Sequence, residues 1–172
     1  MKGDALDPKV EILLREACGE DEAFLKRLFF ELHQGDADDW PGLTEGQRTG
    51  LLELQFRAQR EQYSAMFPGA EHSLILFGGE PAGRLLVDRT SVEIYIIDLA
   101  VSREFRNRGI GTVILRKLLD ESATAGRRVA FRVEKTNPAI KLYERLGLKI
   151  VSDEGLHWKM ESRPDFDPEE GN

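Results

Sequence analysis

The segment Asp98–Leu119 restricts the fold of this chain more than any other stretch of its sequence. A β-branched, apolar run over Val92–Val101 predicts a strand, and a helix is predicted over 109–125. Between them lies Arg106–Gly111 (RNRGIG), whose glycines allow the backbone to turn sharply and to approach a ligand closely. The unpaired N–H groups and positive dipole end of the following helix suit a phosphate or pyrophosphate.

This glycine turn fits neither of two common nucleotide-binding patterns. It comes too late in the chain for the GxGxxG turn of a first βα unit, and no GxxxxGK[ST] run occurs. Taken alone, an arginine- and glycine-rich turn before a helix is explained as well by chain geometry as by ligand binding.

The remaining sequence alternates strand-like and helix-like segments in the order β-α-α-β-β-β-α-β-α-β-β. This order predicts a mixed α/β (α+β) fold, with helices packed on a largely antiparallel sheet. Thr44 and Gln47 form a capping box for the second helix, and the polar stretch 34–42 predicts turns. We predict one domain over 9–160, a flexible N-terminus at 1–8 and an acidic flexible tail at 161–172. The predicted strands are 10–15, 72–77, 83–88, 92–101, 128–134, 148–151 and 156–160, and the predicted helices are 20–33, 44–67, 109–125 and 137–146.

Composition argues against several classes of protein. The 172 residues carry 24 Lys+Arg against 31 Asp+Glu, and the net charge of −7 disfavours binding to nucleic acids or anionic membranes. No apolar run is long enough to span a bilayer, and no signal peptide is evident. The single cysteine, Cys18, cannot form an internal disulfide, which predicts a reducing, cytoplasmic setting. The His and Cys spacing suggests no metal site.

A second motif follows at Asn137–Gly147 (NPAIKLYERLG). Asn137 is a good N-cap, Pro138 suits the first helical position, and Gly147 suits the position after the helix. Tyr143 shares one helix face with three apolar residues, and on this pattern alone it is a core aromatic.

The two motifs together resemble those of the GNAT superfamily of acetyl-CoA-dependent N-acetyltransferases, over roughly residues 10–160. The strand DLAV and the turn RNRGIG are similar to the family's [Q/R]xxGx[G/A] pattern, and NPAIKLYERLG follows at the family's spacing. The resemblance implies a single GNAT-like domain, with a six- to seven-stranded sheet, about four helices and splayed central strands. Asn107, Arg103 and Leu148 depart from residues frequent in the family, but none of these changes removes a needed chemical group.

The resemblance also implies how acetyl-CoA is held. The strand before the glycine turn pairs with the pantetheine arm, and the turn and helix start hold the pyrophosphate. Tyr143 lies near the thioester sulfur and protonates the leaving thiolate. Asn137 faces the cofactor arm or caps its helix, and the capping role is sufficient by itself. The implied cofactor-binding residues are Leu99, Ala100, Val101, Arg106, Asn107, Arg108, Gly109, Ile110, Gly111, Thr112, Asn137 and Tyr143.

The amine that attacks the thioester must first lose a proton, because an alkyl ammonium has a pKa of about 10 by analogy with lysine. Asp98 is the first candidate for the base, followed by Glu93 and Glu134. Strand alternation places Asp98 and Glu93 on opposite faces unless a bulge intervenes. For Glu93 and Glu134, a solvent-facing structural role is an equally good explanation.

The sequence indicates less about the acceptor amine than about any other part of the function. Asp38, Asp39 and Trp40 could receive a cationic amine by charge and cation–π contact, although a solvated acidic loop explains them at least as well. The three histidines, His33, His72 and His157, are interpreted as structural or surface residues.

Two hypotheses follow for the function. The first is direct acetyl transfer from acetyl-CoA to a primary amine of a small molecule or protein, without a covalent enzyme intermediate. The alternative is a catalytically silent module that binds acetyl-CoA or CoA on the same fold. A homodimer is also a hypothesis, since dimers are common in the superfamily.

Overall fold

The computed structural model describes residues 10–38 and 40–162, and the side chains of 36–38 are not included. The predicted flexible N-terminus (1–8), Asp39, the side chain of Asp38 and residues 163–172 of the predicted tail therefore lie outside the described residues.

Seven strands and four helices follow one another in the predicted order within the described residues. The helices are α1 (Glu22–Asp38), α2 (Glu45–Met66), α3 (Ile110–Thr124) and α4 (Ile140–Arg145), and short 3₁₀ turns occupy Gly19–Asp21 and Arg103–Phe105. The strands are β1 (Ile12–Glu16), β2 (Glu71–Phe77), β3 (Glu80–Arg89), β4 (Glu93–Val101), β5 (Arg128–Glu134), β6 (Leu148–Glu154) and β7 (His157–Ser162).

All seven strands form one sheet in the order β1-β2-β3-β4-β5-β7-β6. Only β4 and β5 pair in parallel, from Glu93 opposite Arg128 to Ile96 opposite Phe131. Their pairing stops there, although β4 continues to Val101 and β5 to Glu134. The predicted, mostly antiparallel GNAT-like sheet with splayed central strands is confirmed, and the splay leaves a cleft between the two strands.

A β-bulge in β4 changes which face its side chains occupy. Leu86 of β3 lies opposite Asp98 and Val87 lies opposite Ile96, so Ile97 is an extra residue in β4. An extra residue reverses the alternation of side chains beyond it. Asp98 consequently lies on the same face of the sheet as Glu93. This is the exception that the simple alternation rule allowed, and it could not be read from the sequence.

Helices cover both faces of the sheet. The apolar side of α3, including Ile114 and Leu118, packs with strand residues in the larger core. On the other face, Phe29 of α1 and Phe56 of α2 pack over Leu74 of β2. We call these the α3 face and the α2 face.

Several element boundaries differ from the prediction: for example, β3 begins at Glu80 rather than 83 and β6 ends at Glu154 rather than 151. Helix α1 continues through 34–38, where turns were predicted. The rings of His33 and Phe29 stack with centroids 4.0 Å apart and stabilise the helical turn just before this stretch. Helix α4 begins at Ile140 rather than 137, although Asn137 still caps locally: its Oδ1 accepts from Ala139 N at 2.8 Å. β7 runs to Ser162, whose buried Oγ accepts from Val129 N at 2.8 Å.

The Thr44–Gln47 capping box is confirmed. Gln47 N donates to Thr44 Oγ1 at 3.3 Å, and Thr44 N donates to Gln47 Oε1 at 2.9 Å, immediately before α2. Within the described ranges, no helix is long and apolar enough to cross a membrane. The same residues contain no group of three or more His, Cys, Asp or Glu side chains that could hold a metal ion.

The turn before α1 depends on an ion pair. Asp21 Oδ1 lies 2.7 Å from Arg15 Nη2, and Asp21 Oδ2 accepts from Cys18 N at 2.9 Å. The Arg15 guanidinium, followed by the Cys18 amide, holds the pKa of Asp21 well below its usual range. This lowered pKa means that the pair stabilises the fold above pH 4 or so and that the contribution is lost as the pH falls further.

We expect Asp21→Asn to lower the free energy of unfolding at pH 7 and to have a smaller effect at pH 3.5. Asparagine forms no ion pair with Arg15 at either pH. In the wild type, Asp21 of the unfolded chain takes up a proton as the pH falls below about 4, whereas the folded carboxylate keeps its charge at pH 3.5, and this difference reduces the stabilisation. Urea unfolding of both proteins at the two pH values measures the difference. A difference that is the same at both pH values would contradict the assignment.

Candidate active site

The turn between β4 and α3 has the backbone geometry of an anion cradle. Asn107 has φ 61° and Gly109 has φ 75°, so two residues in the turn lie in the left-handed region. Asparagine and glycine are the residues that adopt this region most readily. Gly109 precedes the first residue of α3, Ile110, and a Cβ at Gly111 would meet no heavy atom within 4 Å. The helix start is therefore open to a ligand.

Two arginines in this turn are held by specific contacts. Arg106 Nε donates to Val101 O at 3.0 Å. The guanidinium of Arg108 lies 5.6 Å from the ring centroid of Phe77 and 5.4 Å from that of Phe105. These contacts fix two positively charged side chains of the turn that precedes α3, in a protein with a net charge of −7. The exposed start of α3 and the two arginines together suit a pyrophosphate.

The second half of β4 forms one wall of the cleft. Leu99 pairs with Leu85 of β3, and Val101 pairs with Gly83, whereas the pairing with β5 has already ended. Leu99 and Val101 pack against the larger core on the α3 face, and Ala100 is buried. An extended ligand that carries amide groups, such as a pantetheine arm, would match this strand edge.

Tyr143 lies where the two strands separate. Its ring packs edge-on against Phe131 with centroids 4.8 Å apart, and Phe131 is the last β5 residue that pairs with β4. Burial raises the pKa of Tyr143, so its hydroxyl keeps its proton at neutral pH. The side chain is thus suited to giving a proton to a leaving group, and it also packs against the core as the helical pattern predicts.

Asp98 is ion-paired with Arg84 on the neighbouring strand. Arg84 Nε contacts Asp98 Oδ2, and Arg84 Nη2 donates to Gln59 Oε1 of α2 at 2.8 Å. The side chain of Arg84 is 7% exposed and that of Asp98 is 22% exposed. Neither Arg84 nor Gln59 is among the site residues predicted from the sequence. The signal was available, since a single arginine inside the apolar run GRLLVD requires a counter-charge if the strand is buried.

The other two carboxylates lie elsewhere. Glu93 Oε2 accepts from Arg128 Nε at 3.0 Å at the paired end of β4. At a rise of about 3.3 Å per residue, this is roughly 15 Å along the strand from Asp98. Glu134 is the last residue of β5, and its side chain is exposed. Of the three predicted bases, Asp98 lies in the splayed half of β4, where the cleft opens.

A pocket on the α2 face lies next to this ion pair. It has a volume of about 250 Å³, and its walls include Tyr63, Phe67, Leu86, Arg60, His72 and Arg84. We call it the α2 pocket. Leu86 is the cross-strand neighbour of Asp98, so the pocket begins one strand away from the splayed half of β4.

His72 lines the same pocket, whereas its sequence indicated only a structural or surface residue. Its Nε2 atom is buried and has no hydrogen-bond partner among the described residues. Burial, and then the charge of Arg84, lowers the pKa of His72, so the ring is neutral at pH 7. Nothing in the local sequence distinguishes His72 from a surface histidine.

Trp40 does not lie open to solvent. It is half-buried and packs against the apolar cluster between α1 and α2, and its carbonyl oxygen accepts from Arg48 Nη2 at 3.5 Å. The predicted acceptor residues Asp38 and Asp39 fall outside the described side chains. Trp40 therefore contributes to the packing between the two helices.

Comparison with known proteins agrees with this geometry. The model of the acetyltransferase (GNAT) family matches residues 29–148, which is more than half of the chain. No curated protein sequence matches.

Solved structures share the fold at low sequence identity. The chain is similar to the PaiA N-acetyltransferase from Thermoplasma acidophilum in complex with coenzyme A, at 15% identity and TM-score 0.66, covering 89% of this chain and 99% of that one. An acetyltransferase from Thermus thermophilus matches at 20% identity and TM-score 0.61, covering 89% and 96%. The structure of histone acetyltransferase HPA2 and related acetyltransferase from Corynebacterium glutamicum matches at 19% identity and TM-score 0.62, covering 91% of this chain and 98% of that one. The splayed β4, the glycine turn before α3 and the family match lead to one conclusion: the chain belongs to the acetyltransferase (GNAT) family.

Proposed function

We propose that this protein transfers the acetyl group of acetyl-CoA directly to a primary amine of a small molecule or protein. One observation carries the proposal. The cleft between β4 and β5 opens at Ile96, has Tyr143 at its apex and leads to the glycine turn at Gly109. A strand edge, a proton donor and an anion cradle therefore lie along one path.

The residues present fit acetyl-CoA. The edge of β4 at Leu99, Ala100 and Val101 would hold the pantetheine arm, and the turn and start of α3 would hold the pyrophosphate. Support comes from the end of the β5 pairing before these residues and from the open space at Gly111. The residues proposed for the pyrophosphate are Arg106, Asn107, Arg108, Gly109, Ile110, Gly111 and Thr112. Asn137 shapes the turn before α4 through its bond to Ala139 N.

Acetyl-CoA supplies a thioester whose carbonyl carbon forms the new bond to the amine nitrogen as the C–S bond breaks and the CoA thiol leaves. Tyr143 gives its hydroxyl proton to the sulfur, the nitrogen releases to solvent the proton that it loses as the amide forms, and Tyr143 regains a proton from solvent. Its raised pKa supports this role, because the neutral form is the one that donates.

The amine must arrive without its extra proton. Asp98, or a water molecule bound to it, takes that proton, while Arg84 holds the carboxylate in place. Arg84 already forms an ion pair with Asp98. The carboxylate must therefore partly release Arg84 before it can accept a proton from the amine. Glu93 remains a weaker candidate, since its carboxylate is paired with Arg128 at the closed end of the strand.

A catalytically silent acetyl-CoA module remains the second candidate, and the protonated Tyr143 at the apex of the cleft favours the enzyme over it. We also propose a cytoplasmic setting, since Cys18 is the single cysteine and is free. A homodimer stays a prediction from the family resemblance.

The cofactor assignment is tested with Gly109→Trp. We expect the dissociation constant of acetyl-CoA to rise at least tenfold, because the indole covers the start of α3 and the side chain is strained at φ 75°. Calorimetry measures the affinity. Gly126→Trp is the matched control, since Gly126 has φ 62° and follows the other end of α3.

The two variants should differ in acetyl-CoA affinity while their circular dichroism spectra agree. Equal affinities in both variants would contradict the assignment of the pyrophosphate site.

Thiol release from acetyl-CoA across a panel of amines then separates the two candidate functions, the enzyme and the silent module. Turnover of any amine identifies an enzyme, whereas tight acetyl-CoA binding without turnover supports the silent module.

A further inference from the structure

The α2 pocket carries an inference about the acceptor, and this inference rests on the proposed function. The pocket lies between the end of α2 and strands β2 and β3, and Arg84 links it to Asp98. An acceptor whose nitrogen lies near the splayed half of β4 would thus have this pocket beside it. Ligand pockets usually measure about 300–1,000 Å³, so a volume of about 250 Å³ suits one ring or a short chain.

The apolar part of the pocket suits an aromatic body. Tyr63, Phe67 and Leu86 contribute its apolar surface. The ring of Phe67 stacks on Tyr95 of β4, with centroids 5.8 Å apart and an interplanar angle of 19°. This stacking fixes the end of α2 against the sheet, so the pocket is largely preformed.

The charged part of the pocket is cationic. Arg60 and Arg84 line it, and no carboxylate does so among the described residues. Asp98 compensates Arg84. Arg60 pairs with Glu22 at 3.3 Å, both side chains are more than half exposed, and the guanidinium also lies 5.6 Å from the ring centroid of Phe56. Such exposed pairs contribute only about 0–1 kcal/mol, so Arg60 can exchange Glu22 for a ligand carboxylate at little cost.

His72 adds a neutral polar group to the lining of the α2 pocket. Its buried Nε2 has no partner among the described residues, so a ligand group that reached it after a small adjustment would find an unsatisfied atom. A neutral imidazole gives no negative charge to offset the arginines. A polycationic acceptor would consequently meet two guanidinium groups, and the carboxylates near them, Glu22 and Asp98, are already ion-paired with Arg60 and Arg84.

We propose that the acceptor is a small primary amine whose apolar or aromatic body occupies the α2 pocket and carries a carboxylate that pairs with Arg60. This acceptor differs from the cationic one that Asp38, Asp39 and Trp40 suggested from the sequence. The difference arises because Trp40 packs between α1 and α2, whereas the pocket beside Asp98 is lined by arginines.

The test uses three amines and measures binding by calorimetry in the presence of CoA, so that no turnover is needed. The probes are 3-(2-aminoethyl)benzoate, 2-phenylethylamine, which is the same molecule without the carboxylate, and spermidine. We expect the benzoate to bind at least tenfold more tightly than phenylethylamine, and spermidine to bind most weakly. Equal binding of the first two amines, tighter binding of spermidine, or no binding of the benzoate would overturn the proposal.

Arg60→Glu is the diagnostic variant. It should weaken binding of the benzoate about tenfold or more and leave phenylethylamine within about twofold. Arg57→Glu is the matched control, since Arg57 is an exposed arginine of the same helix outside the α2 pocket. Identical behaviour of the two variants would overturn the role of Arg60. If CoA or acetyl-CoA itself fails to bind, the proposed function fails first, and that result is distinct from a lost preference among amines.

Discussion

Replacing Tyr143 with phenylalanine should lower kcat about a hundredfold while the affinity for acetyl-CoA stays within about a factor of two. Removing a general acid typically costs 10²–10⁴-fold in rate, and we expect an effect at the lower end of about that range because water can replace the hydroxyl in part. The ring of phenylalanine retains the edge-on packing against Phe131. Steady-state kinetics at saturating acetyl-CoA and calorimetry measure the two quantities separately.

Glu144→Gln is the control for Tyr143→Phe. Glu144 is the exposed neighbour on the same helix, α4, and its replacement should change neither quantity. The proposed role would be wrong if Tyr143→Phe kept the wild-type kcat. Tyr143 would then be only a core aromatic, as its helical pattern alone suggests.

Gly83→Ala is expected to have the largest effect on stability. A Cβ at Gly83 would lie 2.2 Å from the carbonyl oxygen of Ala100 and 3.2 Å from the Cα of Val101, both in β4. These atoms belong to the backbone, so the strands themselves must separate. Inserting atoms into packed structure costs about 1–3 kcal/mol and sometimes more, and we expect the upper end of that range. For a chain of this size, the melting temperature should fall by roughly 5–10 °C.

The same substitution should also weaken acetyl-CoA binding, because Ala100 and Val101 lie on the strand edge proposed for the pantetheine arm. Gly50→Ala is the matched control. A Cβ at Gly50 would meet nothing within 4 Å in helix α2, so alanine there should stabilise the protein by about 0.5–1 kcal/mol. Thermal unfolding of both variants checks the opposite signs, and a Gly83→Ala protein as stable as the wild type would contradict the contact.

Local sequence was sufficient where neighbouring residues determine the conformation. The Thr44–Gln47 capping box, the end of α2 before Pro68 and the turn at Gly109 all depend on side-chain or backbone preferences within a few residues. The order of the elements and the splayed sheet followed from apolar periodicity together with the family resemblance.

Prediction failed where the local preference for one conformation over another is weak. Gly35 and Asp36 favour a turn, yet α1 continues through them. Asn137 and Pro138 favour a helix start, yet they form a separate turn and α4 begins at Ile140. In both cases the propensities of the alternatives differ by about 1 kcal/mol or less per residue, so single contacts such as the stacking of His33 on Phe29 and the bond from Ala139 N to Asn137 Oδ1 are large enough to decide between them.

The sequence by itself determined the family, the position of the glycine turn and the identity of Tyr143 and Asp98 as candidate groups, since each is carried by a contiguous motif. Only the tertiary structure decided which carboxylate lies at the cleft and what surrounds it. The bulge at Ile97 depends on the register between β3 and β4, and it brings Asp98 to the face where Arg84 and α2 lie. Register, ion pairing and pocket walls join residues that are far apart in the chain, so local patterns do not encode them.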